Sequence, residues 1–486
     1  MVSFGLRFSF FAEFARIEAL FNHMRTLTSE VPSKVGQTVE LSGWVANRRD
    51  HGKLIFLDLR DRGGVIQMVV TPKSPAYEAA GRLRLEWVIR VKGEVKARPA
   101  GMVNADIPTG TVELGVTELE VLNEAQTPPF PIDTDGHEIG EDHRLKYRYL
   151  DLRRPRVHKN INIRSEYVQK VREYLFTQGF TEIETPYFTS TTPEGSRDFV
   201  VPSRMYPGQF FALPQSPQQY KQLLQVAGFE RYFQIARCFR DEDLRADRGF
   251  EHTQVDIEMS FVTREEVMQL VEGLMTTVVE AMGKTIKQKP FPHFTFKEAV
   301  AKYGADKFDM RSEEEKAAGV LAFAWVKDFP FFEKDKEGNW TFTHNPFSMP
   351  APEHLEWHLK GEHIEEITTQ QYDLVCNGFE VGGGSIRAHR PDVLKATFKT
   401  MGYGEEQIQK EFGHMLEAFS FGAPPHGGIG SGVERMVMIL TGEQYLREVQ
   451  AFPQTAKGHP SVMTAPTPIS PERLREFGLN LDEKKK

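Results

Sequence analysis

The sequence predicts an α/β protein in two unequal parts, a small closed β-barrel followed by a larger mixed α/β domain. Three observations point to this. Short runs of alternating apolar and polar residues fill Thr38 to Leu122. A proline-rich stretch with Pro128, Pro129 and Pro131 comes next, and helical and strand periodicities then mix from Val157 to Pro460. A chain of 486 residues is also too long for one core.

In the first part, Val39, Leu41, Gly43 and Val45 share one strand face, and Ile55, Leu57 and Leu59 share the inner face of the next. Phe56 therefore stands on the outer face with Asp58 and Arg60. An aromatic among charges suits base stacking, although a lone surface aromatic reads the same way. About five strands in so short a span fit a closed barrel of the OB type. The expected boundaries are an N-terminal extension over 1–23, the barrel over 24–125, a hinge over 126–156, the large domain over 157–460 and a tail over 461–486.

Composition narrows the function classes. Hydrophobic residues make up 40% and charged residues 26%, ordinary for a globular protein, and no apolar run nears the ~20 residues that cross a bilayer. Cys238 and Cys376 are too few for a disulfide framework, so a reducing cytoplasm is the expected setting. Met1 to His23 lacks a basic start and a small-residue cleavage site, so it does not read as a signal peptide. The net charge of −8 speaks mildly against a nucleic-acid partner. Distribution matters more than the total, and basic residues crowd Arg48–Arg62 and Arg144–Arg156, each a solvated face or part of an RNA track.

Several segments of the large part carry chemistry. Val168, Val171 and Leu175 recur at helical spacing, and a strand-like run ends at Pro186. Ser216-Pro217 reads as the start of a helix that presents Gln218 and Lys221 on one face. Arg237 to Glu258 reads as two strands joined by a charged loop, with Arg240 and Glu242 on one face and Gln254, Asp256 and Glu258 on another. Such a face is costly to bury without a polar ligand; the alternative is a hairpin facing solvent. Asp373 and Glu380 together suit a hard divalent cation. Glu380 and Arg387 lie an odd number of positions apart, so one site can use both only if the Gly382–Gly384 triplet bulges or bends. Finally, Gly432 to Arg435 opens an apolar helix whose N-terminus and arginine suit polyphosphate.

In this order the segments resemble the three signature motifs of class II aminoacyl-tRNA synthetases. The helix and strand ending at Pro186 look like the dimer-forming first motif, Phe239 to His252 like the second, and Gly432-Val-Glu-Arg435 like the third. Ser216 to Leu224, Arg237 to Arg248 and Glu380 to Arg387 resemble bacterial-type aspartate–tRNA ligases more closely still. The resemblance implies a catalytic domain built on an antiparallel sheet flanked by helices. It also implies ATP, L-aspartate and tRNA-Asp as substrates, magnesium as cofactor, and a homodimer.

Carried over residue by residue, it implies that Arg387 and Lys221 meet the aspartate side chain. Glu194, Ser216, Gln218, Arg240, Asp256 and His344 would line the same pocket. Arg240 would hold the ATP α-phosphate, Glu242 the adenine amino group and Arg435 the γ-phosphate. Asp241, His252, Glu380, Gly432, Val433 and Glu434 would complete the ATP site, and Asp373 and Glu380 would bind magnesium. Phe56 and Gln67 look like anticodon readers. His51 and Gly101 match positions that accompany relaxed recognition in the family, so tRNA-Asn is an expected second substrate.

The chain departs from the family in three places. Only Ser312 to Ala324 separates Arg311 from Trp325, where many bacterial members carry an extra domain. Gly249 stands where a glutamine contacting ATP is common, and His252 where a phenylalanine stacks on adenine. An asparagine–tRNA ligase and a catalytically inactive RNA-binding paralogue are the alternatives. The Lys221–Arg387 pair speaks against the first, and Arg240, Glu242, Asp373, Glu380 and Arg435 against the second. The family-like sequence begins at Met24, which makes Met24 an alternative start.

Overall fold

The computed structural model describes residues 25–191 and 195–480. Met1–His23, the expected start at Met24 and the expected ligand Glu194 lie outside them. The chain divides into two compact units, Met1–Thr134 and Asp135–Lys486.

In the first unit β1 (Thr38–His51), β2 (Leu54–Asp61), β3 (Gly64–Val70), β4 (Val88–Ala97) and β5 (Val112–Asn123) close a barrel in the order β1-β2-β3-β5-β4. A β-bulge between Val45 and Asn47 bends β1, so that its first half pairs with β4 and its second half with β2. Leu41, Val45, Leu57, Leu59, Ile66 and Met68 fill the interior with no exposure. The alternation therefore aims inward as expected, each buried aliphatic side chain contributing about 1.5–3 kcal/mol. Asp58 pairs in register with Gln67, and Phe56 with Val69, so Phe56, Asp58, Arg60 and Gln67 share the outer face.

The second unit contains β6 (Thr181–Glu182), β7 (Val200–Pro202), β8 (Phe210–Ala212), β9 (Arg231–Phe239), β10 (Glu251–Ser260) and β11 (His293–Thr295). They are followed by β12 (Phe323–Lys327), β13 (Phe332–Lys334), β14 (Trp340–Phe342), β15 (Gln371–Cys376), β16 (Phe379–Ile386) and β17 (His426–Gly432). Eight of these form one sheet in the order β11-β12-β15-β16-β17-β10-β9-β6, antiparallel except at its two edges. Val255, Ile257, Leu374, Val381 and Ile429 point to one side of it. There they pack against helices Pro155–Thr177, Arg264–Ala281 and Val433–Thr441. The neighbouring positions of the same strands, Asp256, Glu258, Asp373 and Glu380, point to the other side.

The division between the units lies inside the stretch expected as a hinge. The division falls after Thr134, and two short helices, Glu141–Lys146 and Arg148–Asp151, belong to the second unit. Half of the basic cluster read here as a solvated face or RNA track is neither, because Arg144, Arg148 and Arg154 are buried. Arg144 pairs with Glu448 at 2.7 Å, Arg148 and Arg154 with Asp151 at 2.6 and 2.7 Å, and Arg156 with Glu443 at 2.5 Å. The acids lie ~300 residues away in sequence for Arg144 and Arg156, too far for local charge reading to find. The connection after Arg311 is made by the five-residue helix Glu313–Ala317, capped by Ser312 and Glu315.

Candidate active site

The polar face of the sheet floors a cavity of about 480 Å³. Ser216, Gln218, Lys221, Arg240, Glu242, His252, Asp256, His344, Asp373, Glu380, Arg387, Gly432, Glu434 and Arg435 all line it. Sites read from segments spread over two hundred residues therefore meet in one place. The helix carrying Lys221 begins at Gln218, with Pro217 rather than Ser216 at its N-cap, which leaves Ser216 against the cavity.

At the centre are two buried cations and two buried carboxylates. Lys221 Nζ lies 2.6 Å from Asp256 Oδ1 and 3.4 Å from Glu258 Oε2. Arg387 holds Glu258 through Nε and Nη2 at 2.9 and 3.2 Å, and its Nη1 donates to Ser385 at 2.9 Å. These three bonds use three of the five guanidinium N–H groups and leave one on each terminal nitrogen, a fork for a second carboxylate. Burial pushes the Glu258 pKa up, but Arg387 and Lys221 outweigh it and hold the carboxyl below its ordinary range. Asp256 goes the other way, raised by burial against the pull of Lys221. Its Oδ2 is buried without a hydrogen-bond partner, so an ammonium donor from a ligand fits there.

The Glu258 and Arg387 side chains can meet over β17 because Gly428, Gly430 and Gly432 put no side chain on this side of it. A Cβ at Gly428 would lie 2.3 Å from Glu258 Oε2. Similarly, a Cβ at Gly383 would lie 3.2 Å from Asp373 Oδ1 and 3.3 Å from Glu380 Oε1, so these carboxylates converge above a bare backbone. The expected bend sits beside the glycine triplet, not within it. Leu374 pairs with Gly382 and Val375 with Glu380, which leaves Val381 as the extra residue of a bulge. That extra residue brings Glu380 and Arg387 to the same side of the sheet.

The half of the cavity expected to take the nucleotide is basic. Arg435 donates from Nη1 to the Glu380 carbonyl at 2.8 Å and from Nη2 to Asp247 at 3.2 Å, while Arg240 Nε is buried with no partner. Glu242 accepts from the Ser196 hydroxyl and from Arg248 at 3.2 Å. Burial, reinforced by Arg240, Arg435 and Arg237, drives the His252 pKa well below its usual value, so the ring is a neutral imidazole. Two expected ATP residues stand elsewhere. Val433 lies in the apolar core with no exposure, and Asp241 is away from the cavity, 3.8 Å from Arg197. Glu434 lines the cavity but its carboxylate is already engaged, accepting from the Thr253 backbone at 2.9 Å and pairing with Arg164 at 3.0 Å.

Asp373 is raised well above the carboxylate range by burial and by the charge of Glu380, whereas Lys307 and Arg435 hold Glu380 down to about 2 against its own burial. Asp306, His344 and Asp373 place ligand atoms within 4.8 Å of one another. Asp373 Oδ2 and His344 Nδ1 are buried and lack hydrogen-bond partners. An oxygen-rich set with an orphaned carboxylate oxygen fits a hard divalent cation. Sequence reading missed Asp306 and Lys307, which sit in a loop that carries no motif. It saw Glu258 on its strand face but gave it no role.

On the barrel, Phe56 and Gln67 share the outer face, and Gln67 donates to Glu113 at 3.2 Å. His51 at the end of β1 and Gly101 in the β4–β5 connection are both exposed. A Cβ at Gly101 would meet nothing within 4 Å.

Fold and site together define a class II aminoacyl-tRNA synthetase. The family model for class II tRNA synthetases (D, K and N) matches residues 140–456, and that for the OB-fold nucleic acid binding domain matches 39–122. Among relatives, the aspartate–tRNA(Asp/Asn) ligase of Rubrobacter xylanophilus is 41% identical over 92% of this chain and 95% of its own length. That of Phenylobacterium zucineum is 40% identical over 92% and 97%, and the aspartate–tRNA ligase of Geobacillus kaustophilus 39% identical over 93% and 97%. The chain belongs to the aspartate–tRNA ligase family. Its alignment with the Rubrobacter enzyme spans 574 positions but uses only 92% of 486 residues, so more than a hundred residues of that relative have no counterpart here. The fold is also that of the asparaginyl-tRNA synthetase of Pyrococcus horikoshii solved with asparaginyl-adenylate (TM-score 0.71, 24% identity, 89% of this chain and 98% of that one). A putative aspartyl-tRNA synthetase from Leishmania major has a TM-score of 0.70 at 21% identity, covering 89% of this chain and 94% of that one.

Proposed function

We propose that the chain attaches L-aspartate to tRNA in an ATP-dependent reaction that passes through an aspartyl-adenylate. The observation that carries this reading is the buried Lys221–Asp256–Glu258–Arg387 constellation. Two fixed cations and the free fork of Arg387 suit a side-chain carboxylate, and an amide offers them no charge. Asp256 Oδ2 takes the α-ammonium, with Ser216, Gln218 and His344 around it. The α-carboxylate attacks the α-phosphorus of ATP and pyrophosphate leaves. A tRNA terminal hydroxyl then attacks the activated carbonyl and releases AMP. The attacking carboxylate is already charged, so the first step needs no general base, and rate comes from positioning and charge stabilisation.

Arg240 steadies the α-phosphate and Arg435 the far end of the phosphate chain. Glu242 reads the adenine amino group, and neutral His252 offers a flat face to the base. Asp373 and Glu380 would hold magnesium, with Asp306 and His344 beside them. When bound, it neutralises phosphate charge.

The barrel reads the anticodon through Phe56 and Gln67, and both tRNA-Asp and tRNA-Asn are substrates. Support for the second comes from exposed His51, from Gly101 with open space beside it, and from the relatives' names. The missing domain is placed between Arg311 and Trp325, where the short helix makes the connection. The helix Pro155–Thr177 leaves Ile161, Val168 and Phe176 along an open groove, for which a second copy is the proposed occupant. Buried Cys238 and Cys376 fit a reducing cytoplasm. Pyrophosphate exchange with aspartate and with asparagine tests the activity. Exchange with asparagine alone would overturn the substrate.

A further inference from the structure

Glu380, one of the two carboxylates assigned to the divalent cation, already has a cation of its own. Lys307 Nζ lies 2.8 Å from Glu380 Oε2, and the two side chains are 36% and 26% exposed. Lys307 comes from the loop after the helix Phe296–Tyr303, not from the sheet. Neighbouring contacts anchor that loop. Phe308 stacks on Tyr303 with ring centroids 4.1 Å apart, its carbonyl accepts from the Gly378 backbone at 3.0 Å, and Lys287 donates to the Met310 carbonyl at 2.9 Å. The ammonium is thus held on a flexible stem above a fixed base.

The surroundings favour exchange of one cation for another. Asp306, Asp373 and Glu380 bring three acidic groups together, with Lys307 on the Glu380 carboxylate and Arg435 on its carbonyl. Asp373 Oδ2, deeply buried, receives no hydrogen bond from Lys307 or from any other described residue. An ammonium and a divalent cation on the same carboxylate oxygen would repel each other and compete for its lone pairs, and of the two the lysine is the one on a tether that can swing away. The phosphate-binding arginine Arg435, which donates to the Glu380 carbonyl, lines the same cavity as Lys307.

We propose that Lys307 is a tethered counter-ion that neutralises Glu380 until a divalent cation takes that carboxylate, and that its freed ammonium then turns to the phosphate chain of ATP. This rests on the function proposed above and makes Lys307 a positioning residue that couples metal entry to nucleotide binding. Metal alone must break an ion pair to bind. Metal arriving with ATP supplies the displaced ammonium with a new anion, so each ligand strengthens the other.

The test uses full-length protein and Mn²⁺ as probe, with free Mn²⁺ followed by electron paramagnetic resonance in the absence of ATP. A nearby opposite charge shifts a carboxylate's cation affinity by about tenfold or more, so Lys307→Met should bind Mn²⁺ about tenfold more tightly than wild type. Lys307→Arg should bind it as weakly as wild type. In pyrophosphate exchange at saturating metal, Lys307→Met should raise the KM for ATP more than it lowers kcat. In a Glu380→Gln background the Mn²⁺ difference should vanish. Equal or weaker Mn²⁺ binding by Lys307→Met, or a difference that persists without Glu380, overturns the proposal. If Lys307→Met does not fold, Lys307→Gln is read the same way. The Mn²⁺ measurement needs no amino acid, so a failure of the assigned reaction would appear separately, as wild-type protein without aspartate-dependent exchange.

Discussion

Arg387 and Glu258 form a buried pair, at 2.9 and 3.2 Å, across a strand that belongs to neither. Glu258 lies on β10 and Arg387 follows β16, and β17 runs between these two strands. The pair is 129 residues apart in sequence and fixes the arginine proposed to recognise the substrate carboxylate.

Breaking this pair should separate stability from recognition. Arg387→Leu leaves Glu258 buried with only Lys221 beside it, and removing one partner of a buried pair costs about 3–5 kcal/mol. Aspartate-dependent pyrophosphate exchange should fall by about 10⁴, the discrimination a mandatory polar partner supplies. The double variant Arg387→Leu/Glu258→Leu should regain most of the stability and none of the exchange. Denaturation and exchange assays on the three proteins check this, and exchange near the wild-type rate in either variant would contradict it.

Gly428→Ala should damage the same pair from below. Its Cβ would stand 2.3 Å from Glu258 Oε2 and 1.9 Å from the Ile257 carbonyl, both inside van der Waals contact. Overpacking of this kind costs about 1–3 kcal/mol. The KM for aspartate should rise as Glu258 is displaced. Unchanged melting and KM together would show that the strand yields freely.

Acid should loosen the second unit through Glu448. Burial raises its pKa, but Arg144, Arg156 and Arg148 prevail and hold it at about 2. A depressed carboxylate stabilises the fold above its unfolded value of about 4.3, and that contribution disappears as pH falls from there towards 2. Glu448→Gln should therefore be less stable than wild type at neutral pH, by about 3 kcal/mol or more, and should lose less on acidification. Parallel pH–stability curves for the two proteins would exclude Glu448 as the source.

Purified transcripts of tRNA-Asp and tRNA-Asn should both be charged with aspartate. A single anticodon mismatch is worth about 1–3 kcal/mol, so His51→Leu should cut charging of tRNA-Asn by about tenfold or more while sparing tRNA-Asp. Gly101→Ala meets open space and should fold normally, so any change it makes in the tRNA-Asn to tRNA-Asp ratio reports on recognition. Charging of tRNA-Asp alone by the wild type would restrict the enzyme to one tRNA.

By itself the sequence determined the two-part architecture and the barrel alternation, and its resemblance to a known family pointed to many of the residues that line the cavity. The first two are local properties, because a period of two or 3.6 residues places a side chain on one face whatever lies opposite. The tertiary structure decided which faces meet. It showed that Glu258, legible only as one carboxylate of a polar strand, clamps Arg387 across bare Gly428. It placed the parity-correcting bulge at Val381, not in the glycine triplet. It brought Lys307 to Glu380 from a loop without a motif, and buried Arg144 against an acid 304 residues away. Each of these depends on partners distant in sequence, and a charge shows its partner only when the chain has folded to bring the two within a few ångströms.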